Sequence, residues 1–201
     1  MRIYLFGPPC GGKSTLAEGL AKKYGLVCVH GDDTEGPFLS AAALEGPEAA
    51  RHLNEVLARG KDAMWLRSPE VLLADETAYY RETFGKLMDW THAQGEETVA
   101  ESAAYLPGCL ASWGIPQNRA LGVFPTEAFR LSRYAERPWV KPYLADCSDP
   151  DTAYRNWMAR DGLMGALQRE EAEAAGYPIL IQDGTRTPEE TLAEAVRLLG
   201  L

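Results

Sequence analysis

Positive charge is scarce in this 201-residue chain: 20 Lys and Arg stand against 29 Asp and Glu, a formal net charge of −9. A protein whose main task is to hold a nucleic-acid backbone neutralises phosphates with clustered Lys and Arg, so the balance argues against that class without excluding a local anion site. Long apolar runs are also missing. No segment approaches the roughly 20 apolar residues of a membrane span. The run through Phe6 behind Met1-Arg2 is too short for the core of a signal peptide. Four cysteines, Cys10, Cys28, Cys109 and Cys147, show no C-x-x-C or Cys/His spacing, which leaves neither a zinc knuckle nor a redox motif and reads as free thiols in a reducing compartment. Internal repeats and low-complexity linkers are absent. The expectation is a soluble cytoplasmic protein with no membrane or nucleic-acid partner.

Apolar residues make up 46% and charged residues 24%, enough for a sizeable core in a single domain spanning 1–201. Short apolar runs alternate with longer helical patterns, which predicts an α/β fold. Ile3, Tyr4, Leu5 and Phe6 read as a buried first strand. A Gly/Pro loop follows, then a helix with Leu16, Leu20 and Tyr24 on one face, stopped by Gly25. Residues 26–30 read as a second strand, 98–101 as a third, 120–124 as a fourth and 178–182 as a fifth. Helices are expected over 48–59, after Ser68-Pro69, through Arg130, over 151–175, and from the capping box Thr187-Pro188-Glu189-Glu190. These elements make a three-layer α/β/α sandwich on a five-stranded, mainly parallel sheet.

The most informative segment is Gly7-Pro8-Pro9-Cys10-Gly11-Gly12-Lys13-Ser14, which fits G-x-x-x-x-G-K-[ST] at every fixed position, between a strand and a helix as its mechanism requires. Glycines let successive backbone N–H groups turn inward around phosphate oxygens, and the helix N-terminus adds partial positive charge. Lys13 then bridges the β- and γ-phosphates of ATP, the Ser14 hydroxyl coordinates Mg²⁺, and Thr15 stands near the α-phosphate.

With this loop in place the sequence resembles the P-loop kinases of small molecules, the group that includes nucleoside monophosphate, shikimate, gluconate and adenylylsulfate kinases. The order of features carries the resemblance over most of the chain. A Gly-Asp pair follows the second strand, an acidic residue ends the third, an arginine-bearing segment follows the fourth, and Gly184-Thr185 follows the fifth. The resemblance implies a P-loop NTPase fold with a substrate-covering helical region at about 34–95 and a lid at about 126–150.

It further implies roles. Asp32, after Gly31, would bind the acceptor and orient its hydroxyl, with Asp33 the second candidate. Either can instead cap the next segment. Glu101 takes the place of the second acidic residue, which orders Mg²⁺ through its water shell, or it receives a substrate group; Tyr105 is near enough in sequence to line the same pocket. Arg130, Arg133 and Arg137, at i, i+3 and i+7, share a face if the helix is unbroken, and lid arginines stabilise the transferring phosphoryl group. Arg155 and Arg160 are further candidates, and the alternative is solvent-facing pairs with Glu127 and Glu136. Gly184 and Thr185 would contact the adenine base through backbone groups. Phe38, Arg51, His52, Trp65, Arg67, Tyr79, Tyr80, Arg81 and Trp90 are the aromatic and cationic groups on the acceptor side.

The function expected is ATP-dependent transfer of a γ-phosphate to a small-molecule hydroxyl or phosphate by a monomer or homodimer. The alternatives are a P-loop ATPase or nucleotide-binding regulator, or a polynucleotide or tRNA kinase, which would want a basic track. The [NT]-K-x-D segment that reads guanine in GTP switches is lacking.

Overall fold

A computed structural model describes residues 1–34 and 46–201; Phe38 and part of the expected acceptor-side region lie outside the described residues. Strand β1 (Arg2–Phe6) leads through the glycine-rich loop into α1 (Lys13–Tyr24), then β2 (Val27–His30) and a 3-10 turn at Gly31–Thr34. Helices α2 (Glu48–Ala58), α3 (Lys61–Trp65) and α4 (Pro69–Ala93) precede β3 (Thr98–Glu101). After α5 (Pro107–Ser112) come β4 (Ala120–Pro125), α6 (Glu127–Ala135), α7 (Val140–Leu144), α8 (Pro150–Ala175), β5 (Ile179–Gln182) and α9 (Pro188–Leu199).

The five strands are all parallel in the order β2-β3-β1-β4-β5. Alternation along β1 assigns the two faces of the sheet. Ile3 and Leu5 pack with Leu16, Leu20, Ala195 and Leu199 of α1 and α9. Tyr4 and Phe6 face the opposite way, onto Tyr79, Tyr80, Phe84 and Met88 of α4 and Met164 of α8. A third apolar cluster, Trp65, Leu72, Tyr134, Val140, Leu144 and Trp157, joins α3 and α4 to the segment after β4.

The short run Thr98-Val99-Ala100 is a weak strand by composition, yet every residue of β3 is buried between β1 and β2. Neighbours on both edges supply what its side chains lack. By contrast β2 is an edge strand, and Val27 is 51% exposed. Helix α6 stops at Ala135 with Glu136 as its C-cap, so Arg137 stands beyond the helix rather than one turn further along its face. The capping box of α9 is complete: Thr187 Oγ1 accepts from the Glu190 N–H, and the Thr187 N–H donates to the Glu190 carboxylate. Among the described residues no helix is long and apolar enough to cross a membrane.

Candidate functional site

Chain order places the reversal between β1 and β3: the loop after β1 runs toward α1 on one side, and the connections after β3 run to the other. A crevice opens at the carboxyl ends of parallel strands at such a reversal. Here it is a cleft of about 1460 Å³ lined by the glycine-rich loop, the heads of β2 and β3, and α4, α6 and α8.

The loop is held backbone against backbone. A Cβ on Gly7, whose φ is 131°, would stand 2.3 Å from the Val123 carbonyl oxygen, and one on Gly11 would stand 2.7 Å from the same atom. Cys10 adopts φ 65°, uncommon for a residue with a side chain. Burial pushes its thiol above the ordinary value, against the pull of Arg137 and Lys13. Helix α1 starts without a side-chain cap and with no acidic residue in its own first turn, which leaves its leading N–H groups without a capping side chain. The buried Lys13 ammonium donates to the Pro8 carbonyl at 3.1 Å. Pro9, Cys10, Gly11, Gly12, Lys13, Ser14 and Thr15 line the cleft, whereas Gly7 and Pro8 stand behind it and shape the turn.

Across the sheet, Glu101 is brought to this loop by register. It pairs with Leu5 on β1 and with His30 on β2. The Ser14 hydroxyl donates to Glu101 Oε1 at 3.0 Å, and His30 Nδ1 lies 2.8 Å from the same oxygen. The hydrogen bond to Glu101 raises the His30 imidazole above its ordinary value, while burial opposes the shift. Asp32, on the turn after β2, accepts from the Ser102 hydroxyl at 2.7 Å and lines the cleft. Its neighbour Asp33 is exposed and does not line it. Tyr105 departs from expectation: it is fully buried, with its hydroxyl against Thr91 at 2.6 Å, because it packs under α4.

The arginines after β4 separate. Arg133 lines the cleft, lies over the Phe129 ring and pairs with Glu136 at 2.7 Å. Arg137 lines the cleft over Tyr134 and Trp139. Arg130 does not join them. It is 5% exposed and donates to the Met158 carbonyl at 2.9 Å, because its face of α6 packs on α8; the substrate role expected for it is corrected to a structural one. Arg155 is exposed on a Thr152 hydroxyl, away from the cleft. On the β5 side Gly184 lines the cleft at φ 87°, with Phe129 beneath it, while Thr185 turns back onto Asp183.

One residue and one set of partnerships stood outside the sequence reading, which names Arg160 and Tyr80 only singly. His30 is the residue, and its signal was only that it immediately precedes Gly31-Asp32. The other is a buried ion cluster. Arg160 donates through Nε to Asp161 at 2.7 Å and through Nη1 to Glu76 of α4. Tyr80 donates to Glu76 at 2.9 Å, and the Tyr134 hydroxyl donates to Asp161. Glu76, Tyr80, Tyr134, Arg160 and Asp161 all line the cleft.

A parallel sheet in this order, a glycine-rich loop between β1 and α1, and a loop hydroxyl bonded to the acidic end of β3 define a P-loop fold. No family model matches the chain. Among curated proteins it is similar to the adenylate kinase of Paramagnetospirillum magneticum, 39% identical over 74 residues, which is 37% of this chain and 30% of the relative. It is also similar to that of Pyrococcus furiosus, 37% identical over 60 residues, 30% of this chain and 26% of the relative. The matched stretch thus spans less than a third of these relatives. Among solved structures, shikimate kinase from Aquifex aeolicus vf5 superposes over 100% of this chain and 96% of its own at 16% identity, with a TM-score of 0.45.

Proposed function

We propose that this chain is an ATP-dependent kinase that moves the γ-phosphate of ATP to a small-molecule acceptor. The observation that carries the reading is the Ser14–Glu101 hydrogen bond at the head of the phosphate cradle, with Asp32 on the same edge of the cleft.

The residues suit ATP and Mg²⁺. An uncapped helix N-terminus and inward-facing loop amides fit a triphosphate, and a hydroxyl beside a carboxylate is the hard oxygen set that Mg²⁺ takes. Bound there, Mg²⁺ would neutralise charge on the phosphate oxygens. Ser14 and Glu101 would hold it, the latter through water.

Each remaining role falls to a group already placed. The loop from Pro9 to Gly12 binds phosphate oxygens through its N–H groups. Lys13 exchanges the Pro8 carbonyl for phosphate, a better partner for an ammonium. Arg133 and Arg137, on the segment at about 126–150 that we read as the lid, move from ring faces and Glu136 to the transferring group and exclude water. Asp32 accepts the acceptor's hydroxyl proton or orients that hydroxyl for in-line attack. Gly184 faces the base. The chain is read as one domain acting as monomer or homodimer.

Coupled ADP release tests this, measured across nucleosides, nucleotides, sugars, sugar acids and amino alcohols, with MgATP binding followed in parallel. Acceptor-dependent turnover that falls at least about a hundredfold in Lys13→Ala is the expected result. Intact ATP binding without acceptor-dependent turnover refutes the reading.

A further inference from the structure

We infer that the acceptor is an alcohol carrying no phosphate or carboxylate, and that amine-bearing members of this class are preferred over their uncharged analogues. The inference rests on the kinase reading and deepens it by naming the acceptor's charge.

The first observation is where the acceptor-side cations go. Arg67 is held by Asp75 at 2.5 Å and Arg81 by Glu171 at 3.0 Å, both off the cleft, and Arg51 is exposed away from it. Among the described residues, none of these three lines the cleft. Residues 35–45, outside the described set, contain Glu35 and Glu45 and no Lys, Arg or His, so their composition adds no cation.

The second observation is the state of the guanidinium that does face this end. Arg160 is 8% exposed, bonded to both Glu76 and Asp161, and stacked 5.5 Å from the Trp65 ring centre. An anionic acceptor would have to displace the buried Asp161 carboxylate or the half-buried one of Glu76 and leave it unpaired, which is costly. Asp32 lines the same cleft, with its Oδ1 used by Ser102. Two carboxylates share one guanidinium, and the Glu76 carboxyl shows the strain: burial pushes it up, Arg160 pulls it down, and Asp161 pushes it up again. An ammonium entering here completes the charge balance. Tyr80, Trp157 and Met164 supply apolar walls for the body of the molecule.

The lid arginines do not alter this. The kinase reading assigns both to the triphosphate: Arg133 pairs with Glu136 at 2.7 Å, and Arg137 lies over the Tyr134 and Trp139 rings.

The test is turnover of a hydroxyl-compound library sorted by charge, at saturating MgATP. Glucosamine, glucose, gluconate and glucose 6-phosphate form one matched series, and adenosine with AMP another. Hits confined to amine-bearing and uncharged alcohols, with kcat/KM about tenfold higher for an amine than for its uncharged analogue, support the inference. Glu76→Gln should collapse that ratio, and Glu76→Asp should restore part of it. Should Glu76→Gln not fold, the wild-type ranking decides alone. A phosphate- or carboxylate-bearing compound as best acceptor overturns the inference and leaves the kinase reading standing. MgATP binding with no acceptor turned over overturns both.

Discussion

Replacing Arg160 by methionine removes the one positive group between Glu76 and Asp161 while nearly preserving side-chain volume. Asp161 is 2% exposed at its side chain and the Arg160 side chain 8%, so solvent does little to screen what is left. Breaking a buried pair by deleting one partner costs about 3–5 kcal/mol, because a charge is stranded. The unfolding entropy of a 201-residue chain is about 0.4 kcal/mol per degree. Arg160→Met is therefore expected to lower Tm by about 7–12 °C in differential scanning calorimetry at neutral pH.

The mechanism makes a second demand. In the variant the Glu76 carboxyl, already pushed up by burial, loses the guanidinium that pulls it down, so its folded pKa rises further above the unfolded one. The folded state then binds more protons, and its stability increases as pH falls. The deficit against wild type should shrink in acid. The triple variant Glu76→Gln, Arg160→Met, Asp161→Asn keeps oxygens for Tyr80 and Tyr134 and should recover most of the loss. A Tm drop below about 2 °C, or a triple variant no more stable than the single, refutes the claim that stranded charge is the cause.

Three further outcomes are expected. Gly11→Ala puts a methyl 2.7 Å from the Val123 carbonyl oxygen and 3.2 Å from Pro125 Cδ, so the loop must shift and MgATP affinity by calorimetry should fall at least about tenfold; unchanged affinity would count against the cradle. Thr187→Ala removes the cap of α9 at a cost of about 1 kcal/mol, so Tm should fall by about 2 °C. His30 is raised above 6.5 by Glu101, so its contribution is present in full below 6.5 and is lost as pH rises through the folded value. Its side chain is 38% exposed and the effect is small, under about 1 kcal/mol. Measured without Mg²⁺, His30→Ala should be less stable than wild type at about pH 6 and equal to it at about pH 9; a deficit that grows with pH would contradict the pairing.

Features fixed by local rules were readable from the chain alone. The cradle, the five strands and the capping box of α9 each depend on a few contiguous residues, and the sheet is parallel as the alternation predicts. What escaped depends on register and on which neighbour takes a charge. His30 and Glu101 are 71 positions apart and meet because β2 pairs with β3. The arginine spacing at 130, 133 and 137 assumed an unbroken helix. With α6 ending at Ala135, one arginine is buried against α8 and another swings onto ring faces beyond the helix. Glu76 and Arg160 are 84 positions apart, and no pattern within α4 or α8 marks them as partners.

Regional charge bears on the same cleft. Residues 1–25 carry +3 and 130–160 carry +2, against −9 for 26–129 and −5 for 161–201. The positive segments bring Lys13, Arg133 and Arg137 to the cleft, and the negative ones bring Asp32, Glu76, Glu101 and Asp161 to it, with Glu101 bonded to Ser14 of the cradle. A net count over 130–160 credits that segment with six cations, yet Arg130 and Arg160 are spent inside the protein. Without those two, the four remaining cations of the segment equal its four carboxylates, and Arg133 and Arg137 are the ones that line the cleft. Glu76 and Asp161 share the single guanidinium of Arg160, which leaves one net negative charge there, and like-charge contact with a phosphate in a low-dielectric site costs several kcal/mol. Chain acidity, which at first only argued against a polyanion binder, thus includes a net negative ion cluster on the wall of the cleft itself.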